Sequence, residues 1–347
     1  MATVTLCMIV KNEEKYLERC LSAIKPVLDK VDSELIITDT GSTDRTVEIA
    51  EKFTDKVIHF EWINDFAAAR NTALDNAKGE WFMFLDADEI FLSCDGIISF
   101  FNSGEYKNYN AASYIIRNLS KTENGTNYSD IFSPRLVKIF PETKFENAIH
   151  EVLSPFKPPY KNISDIAEHY GYFFETEEEK IIKSKRNADL LTKRLSSEYN
   201  LDPVIFVQLF EAFHGMNDMD KAFFYLDEGI EYCKKNNSIV LAALYFHKAS
   251  ILQSAKKFYE AIKVCDEYFE MSSLIRPYPL NTDAEIHAIK GVSLYDLKKY
   301  DESKESLESF FNIANSCVSF SIFLFCVFIL NRLLQFYRSE AAPPLIV

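Results

Sequence analysis

Asp86 and Asp88 stand two positions apart in WFMFLDADEIF, residues 81–91, directly behind a run of aromatic and aliphatic side chains. Side chains alternate faces along an extended strand, so both carboxylates are expected to project to one side. Two aligned hard oxygen donors suit Mg2+ or Mn2+ rather than a thiolate-seeking metal. The plainer reading is that these acids simply meet water at a strand end. D-x-D alone occurs often by chance; behind a buried parallel strand it means more. Glu89, on the opposite face, has no assigned role.

Other side chains could share such a site. Asp39 ends ELIITD and can accept hydrogen bonds from a base or a ribose, or it can cap the turn that follows, as Ser42 and Asp44 also could. Asn12 and Glu13 in VKNEE are either N-cap residues or nucleotide contacts. Arg70 lies in DFAAARN, on a helix otherwise lined with alanines. Small residues bring that helix close to the sheet, so Arg70 needs an acidic partner, and an aspartate of the D-x-D pair is the obvious one; it could also face a phosphate. His150 and Glu151 sit together in KFENAIHEVL, though a lone histidine is more often structural than functional.

The elements that must carry these residues alternate strand and helix. TVTLCMIV reads as a strand and EEKYLERCLSAI as an amphipathic helix with Leu17, Cys20, Leu21 and Ile24 on one side. ELIITD, KVIHF and EWFMFLDAD read as further strands. TGSTDRTVEIAEKF reads as a helix capped by Ser42 or Thr43, and DFAAARNTALDNAKG as one stopped by Gly79. Strands separated by helices indicate a mainly parallel sheet covered on both faces, an α/β domain whose ligands sit beyond the carboxyl ends of the strands. From about residue 111 the pattern turns β-rich, with ASYIIRNL, FSPRLVKIF and DIAEHYGYFF, and then all-helical.

The helical half carries a faint repeat of tetratricopeptide type. Ala249, Phe258 and Ala261 recur in spacing as Gly291, Tyr300 and Ser303, and a looser copy surrounds Ala222. An ordinary helical bundle is the alternative, and either way this half is a packing or docking scaffold. The expected division is an α/β domain over 1–175, repeats over 176–315 and an apolar tail over 316–347.

Composition narrows the function further. The 347 residues carry a formal net charge of −14, which argues against a nucleic-acid backbone partner. The seven cysteines are scattered without metal-binding spacing and read as reduced thiols of a cytoplasmic protein. No leader pattern precedes the first strand. CVSFSIFLFCVFIL, residues 317–330, is apolar but shorter than the roughly 20 residues that span a bilayer. A buried final helix, a tail touching the inner membrane face and a non-native end are the three readings of it.

MIVKNEEKYLERCL, ITDTGSTDRTVEIA, WINDFAAARNTALDNAKGEWFMFLDADEIF and PRLVKIFPETKFENAIHEVL together resemble a family 2 glycosyltransferase of the nucleotide-diphospho-sugar-binding fold called GT-A. EHYGY, KSKRNADLLTKRL and the helical repeats resemble a subgroup fused to tetratricopeptide-like repeats, which includes the S-glycosyltransferases of glycosylated bacteriocins. The resemblance implies an inverting transfer from a nucleotide-diphospho-sugar, with Mn2+ or Mg2+ as cofactor. Asp39 would bind uracil beside the Asn12–Glu13 loop, with Gly41 and Ser42 of the next turn. Arg70 would lie near the sugar-diphosphate, with Asp86 and Ala87. Asp86, Asp88 and His150 would form the metal site, Asp88 as the direct ligand. Glu151 is the first choice for catalytic base and Glu89 the next. The expected acceptor is a peptide or protein side chain; a cell-envelope lipid or polysaccharide is the alternative, and a non-catalytic repeat scaffold the remote one. A homodimer is compatible with all of these.

Overall fold

Fully apolar strands need cover on both faces, and the first strand, β1 (Val4–Val10), receives it. Val4, Leu6, Met8 and Val10 enter one buried cluster while Cys7 enters the cluster on the opposite face. The computed structural model describes residues 3–122, 125–197, 201–272 and 280–316. The chain divides into two compact units, Met1–Lys183 and Ser184–Val347.

In the first unit the order is β1, α1 (Leu17–Lys30), β2 (Ser33–Asp39), α2 (Thr46–Ala50), β3 (Val57–His59), α3 (Phe66–Asp75), β4 (Trp81–Phe84), β5 (Glu89–Phe91) and α4 (Asp95–Asn102). Then follow β6 (Ala111–Thr122), β7 (Gly125–Lys138), β8 (Lys144–Glu146), β9 (Val152–Ser154) and β10 (Tyr160–His169). Eight strands make one sheet in the order β3-β2-β1-β4-β7-β6-β10-β5, and β8 and β9 pair separately. β3, β2, β1 and β4 run parallel, as the alternating pattern requires. β7 enters antiparallel between β4 and β6. Leu17, Leu21 and Ile24 of α1 and Ile97 and Phe100 of α4 pack on one face, and Ala67, Ala73 and Leu74 of α3 on the other.

Three local expectations differ from the structure. α2 begins at Thr46, past Ser42 and Thr43, and neither residue caps it; the Thr46 amide donates to Asp44 Oδ1 at 2.9 Å. α3 ends at Asp75, well before Gly79, whose own role is steric: a Cβ there would lie 2.5 Å from the Thr5 amide nitrogen on β1. β4 stops at Phe84, so Asp86 and Asp88 are not on an extended strand. They lie on a tight turn closed by the Glu89 amide donating to the Asp86 carbonyl at 3.1 Å. Strand alternation therefore does not set their directions.

The second unit is helical: α5 (Glu177–Ser197) leads in from the first, followed by α6 (Val204–Gly215), α7 (Met219–Asn236), α8 (Val240–Ser254), α9 (Phe258–Ser272), α10 (Leu280–Asp296) and α11 (Tyr300–Ser316). The small residues of the repeat lie where helices meet. Ala249 and Ala261 are fully buried, and Ser303 Oγ donates to the Gly291 carbonyl at 2.8 Å. The apolar 317–330 segment lies outside the described residues. Among those described, no helix is long and apolar enough to cross a membrane.

Candidate active site

The loops after β1 and β2 are stitched into one platform. Asn12, with a left-handed φ of 55°, donates its amide to Ser42 Oγ at 3.0 Å and accepts from the Thr43 amide at 2.8 Å. The Glu13 amide donates to Thr46 Oγ1 at 2.7 Å. Asp39, buried at the end of β2, accepts from the Gly41 and Ser42 amides at 3.2 and 3.0 Å, and His59 Nδ1 lies 3.3 Å away. Burial pushes the Asp39 carboxyl up, but the bonds from Ser42 and Gly41 win and hold it below its ordinary value. Asp39 thus holds the turn, the capping role open to it from the start, and an ionised carboxylate keeps lone pairs for a further donor. The Glu13 carboxyl is pushed up to about 8, first by burial and then by the nearby Asp88 and Asp86 charges.

Across from this platform the D-x-D turn is held by arginines. Arg70 Nη2 donates to Asp86 Oδ1 at 2.6 Å and Arg70 Nε to Glu151 Oε1 at 2.5 Å. The alanine-lined helix did bury its arginine, at 4% exposure, against an acid. Arg135 of β7 reaches Asp86 Oδ2 at 3.2 Å. Both guanidinium groups lie over the Phe84 ring, at 5.2 and 4.8 Å. Burial works against charge on Arg70, but Asp86 and then Glu151 overcome it and keep the guanidinium firmly protonated. Burial likewise opposes charge on Asp86, and the two arginines hold its carboxyl far below the usual range. Both Asp86 oxygens are therefore occupied by cations.

Asp88 has a different neighbour. His169 Nε2 stands 3.6 Å from Asp88 Oδ1, and His169 Nδ1 is 2.7 Å from the Asn118 carboxamide oxygen. The register explains the arrival. β5 leaves the turn and pairs antiparallel with β10, setting Glu89 opposite His169, while β6 sets Asn118 beside His169 from the other side. The Tyr170 amide donates to the Asp88 carbonyl at 3.1 Å. Gly171 closes against the pair, since a Cβ there would lie 2.4 Å from His169 Nε2 and 2.9 Å from Asp88 Oδ2. Burial pushes the His169 ring below its ordinary pKa and Asp88 above its own. A neutral ring donating Nδ1–H to Asn118 leaves the Nε2 lone pair facing Asp88, the form in which histidine binds metals.

The histidine beside the aspartates is therefore His169, where the sequence reading had placed His150. His150 is exposed, with a left-handed φ of 52°, and it is its neighbour Glu151 that reaches Arg70. Asn118, Arg135 and His169 were passed over. The one hint was EHYGY, whose histidine ends a strand-like run as Asp39 does. Glu89 is fully buried, accepts from Tyr114 Oη at 2.9 Å and from Arg135, and is pushed up to about 8 by burial. With no solvent access it cannot touch an acceptor, so the second choice for a base falls.

Among the described residues no group of three or more His, Cys, Asp and Glu side chains surrounds a metal position. Asp88 and His169 offer one hard oxygen and one imidazole nitrogen. That set fits a divalent ion that takes its remaining ligands from water and a substrate's phosphates.

The model for the family described as "Glycosyl transferase family 2" matches residues 5–141. The SPbeta prophage-derived glycosyltransferase SunS of Bacillus subtilis is 28% identical over 238 residues, 67% of this chain and 53% of that protein. A TPR repeat-containing protein of Synechococcus elongatus is 53% identical over 89 residues, 26% of this chain and 21% of its own length. The chain thus spans about half of one of these curated relatives and about a fifth of the other. Among solved structures, glucosyl-3-phosphoglycerate synthase from Mycobacterium tuberculosis with Mn2+ and UDP-glucose is 23% identical, covering 33% of this chain and 44% of that one, at a TM-score of 0.29. The first unit, a mainly parallel sheet layered between helices with the D-x-D turn at the end of its fourth strand, is similar over residues 5–141 to the family 2 glycosyltransferases.

Proposed function

We propose that this chain transfers a hexose or N-acetylhexosamine, with inversion, from a UDP-sugar to a peptide or protein side chain. The observation that carries the reading is the pairing of Asp88 with His169 next to an Asp86 held by Arg70, within a family 2 domain. Asp39 and the Asn12–Glu13–Ser42 platform would receive the nucleoside. Asp88 Oδ1 and His169 Nε2 would hold Mn2+ or Mg2+. Bound there, the ion would act as a Lewis acid toward the diphosphate as negative charge grows on it. Arg70, with one buried nitrogen (Nη1) lacking a partner among the described residues, is a further donor for that charge.

Glu151 is the acid that Arg70 holds within reach of Asp86, and it is our candidate for the base that takes the acceptor proton. A cysteine acceptor would lean on it least, since a thiolate is already a strong nucleophile. The helical repeats would grip the acceptor chain. The test is a panel of nucleotide sugars with Mn2+, read by nucleotide release. Release from at least one UDP-sugar is expected, with loss by orders of magnitude in Asp86→Ala/Asp88→Ala. No release from any donor and no Mn2+-dependent UDP binding would sink the reading.

A further inference from the structure

Glu89 is fully buried directly beneath the D-x-D turn, and its contacts tie that turn to β6, β7 and α1. Its Oε2 accepts from Tyr114 Oη on β6 at 2.9 Å, and its Oε1 accepts from Arg135 Nη2 on β7. Its carbonyl accepts from the Cys20 thiol on α1 at 2.9 Å, and its amide closes the turn onto the Asp86 carbonyl. The same Nη2 of Arg135 that serves Glu89 also serves Asp86 Oδ2, at 3.2 Å. One nitrogen thus bridges the buried acid to the acid of the site.

A network chosen for stability would look otherwise. Arg135 Nε is buried without a partner among the described residues, a desolvation cost with nothing to offset it. Buried ion pairs are commonly matched or bettered in stability by apolar residues of similar size. Tyr114, which Glu89 touches, packs against Phe91 within the hydrophobic core, so an apolar side chain at 89 would find packing. Those costs persist where the geometry serves something else. We propose that Glu89, through Arg135, is a positioning residue: it fixes the direction of the Asp86 carboxylate and the shape of the turn that presents Asp88. It touches neither donor nor acceptor.

This inference rests on the proposed glycosyl transfer, and the experiment separates the two. The double variant Glu89→Leu/Arg135→Met removes both polar partners; Glu89→Gln keeps the shape and replaces one accepting carboxyl oxygen with an amide nitrogen. Three quantities are measured: the thermal midpoint, kcat and KM for the donor, and the Mn2+ concentration at half-maximal UDP binding by calorimetry. The double variant is expected to fold with a thermal midpoint equal to or above that of the unaltered protein. Its kcat should fall about 100-fold, as misplacement by an ångström does, with the donor KM changed far less. The Mn2+ midpoint should rise about tenfold. If the double variant fails to fold, Glu89→Gln decides by the same kcat and Mn2+ readouts. A folded variant with unaltered kcat and Mn2+ midpoint overturns the proposal. If the unaltered protein releases no nucleotide from any donor and shows no Mn2+-dependent UDP binding, the glycosyl-transfer reading falls and the positioning role with it. If it binds UDP with Mn2+ but releases no nucleotide, the Mn2+ midpoint for UDP binding decides the positioning role alone.

Discussion

His169 Nε2 stands 3.6 Å from Asp88 Oδ1, and Gly171 lies so close to both that a Cβ there would clash with each. Gly171→Ala puts a methyl group 2.4 Å from the ring nitrogen and 2.9 Å from the carboxylate. Real side chains do not pack that closely, so the ring must move off Asp88. The Mn2+ concentration needed for half-maximal UDP binding should rise about 10- to 100-fold, the range seen when a metal ligand loses its orientation. Calorimetric titration with Mn2+ checks it. An unchanged midpoint removes His169 from the metal site.

Arg70 joins Asp86 to Glu151 from a position of 4% exposure. Arg70→Met keeps the aliphatic bulk over Phe84 but leaves two carboxylates in a buried setting, with Arg135 able to answer only Asp86. Breaking a buried pair from one side costs about 3–5 kcal/mol. Urea denaturation should show a loss of that order, and Arg70→Lys, a point charge that cannot bridge two acids in a fixed fork, should recover only part of it.

The half of the sheet built from β1 to β4 was legible because its signals are local. Buried parallel strands read as apolar runs, the helices between them show one greasy side, and Arg70 among alanines announced its need for an acid. What stayed hidden depends on pairing between distant segments. His150 and His169 look alike in sequence, and His150 even has an acid beside it. Only the registers of β10 against β5 and β6 decide that His169 arrives at Asp88. The same holds for Arg135, which reaches Asp86 because β7 runs antiparallel beside β4. The D-x-D spacing predicts strand alternation, but β4 ends at Phe84 and the acids ride on a turn, so strand geometry does not explain their directions. The tight turn also explains Glu89: it resumes a strand on the buried side rather than facing solvent.

Cysteine chemistry gives a test of the fold's interior. Burial pushes the Cys7, Cys94 and Cys265 thiols up to about 12 and Cys233 to about 11, and it raises Cys20 well above the ordinary thiol value, with Glu89 adding to the effect. Thiols react as thiolates, so these five should resist iodoacetamide at about pH 8 in the native protein and label fully in urea. Peptide mass spectrometry resolves the sites. Native labelling of Cys20 would mean that α1 opens from the underside of the D-x-D turn, contrary to its 2.9 Å bond to the Glu89 carbonyl.

Glu13 should make stability depend on pH with an unusual sign. Its carboxyl is pushed up to about 8 in the folded chain from an ordinary 4.5, by burial first and then by Asp88 and Asp86. Below the unfolded value both states hold the proton, and the contribution is fully present. Between the two values the unfolded chain releases its proton and the folded one does not. Stability is then lost as pH rises, at most about 1.4 kcal/mol per pH unit, and the loss stops above the folded value. Other carboxylates superimpose their own slopes, so the decisive quantity is the difference between Glu13→Gln and the unaltered protein, measured by urea denaturation with EDTA present. That difference should be near zero at acid pH and grow in favour of the glutamine variant up to about pH 8. A difference that is flat with pH, or that favours glutamate at high pH, would show that Glu13 is solvated and stands apart from the aspartates.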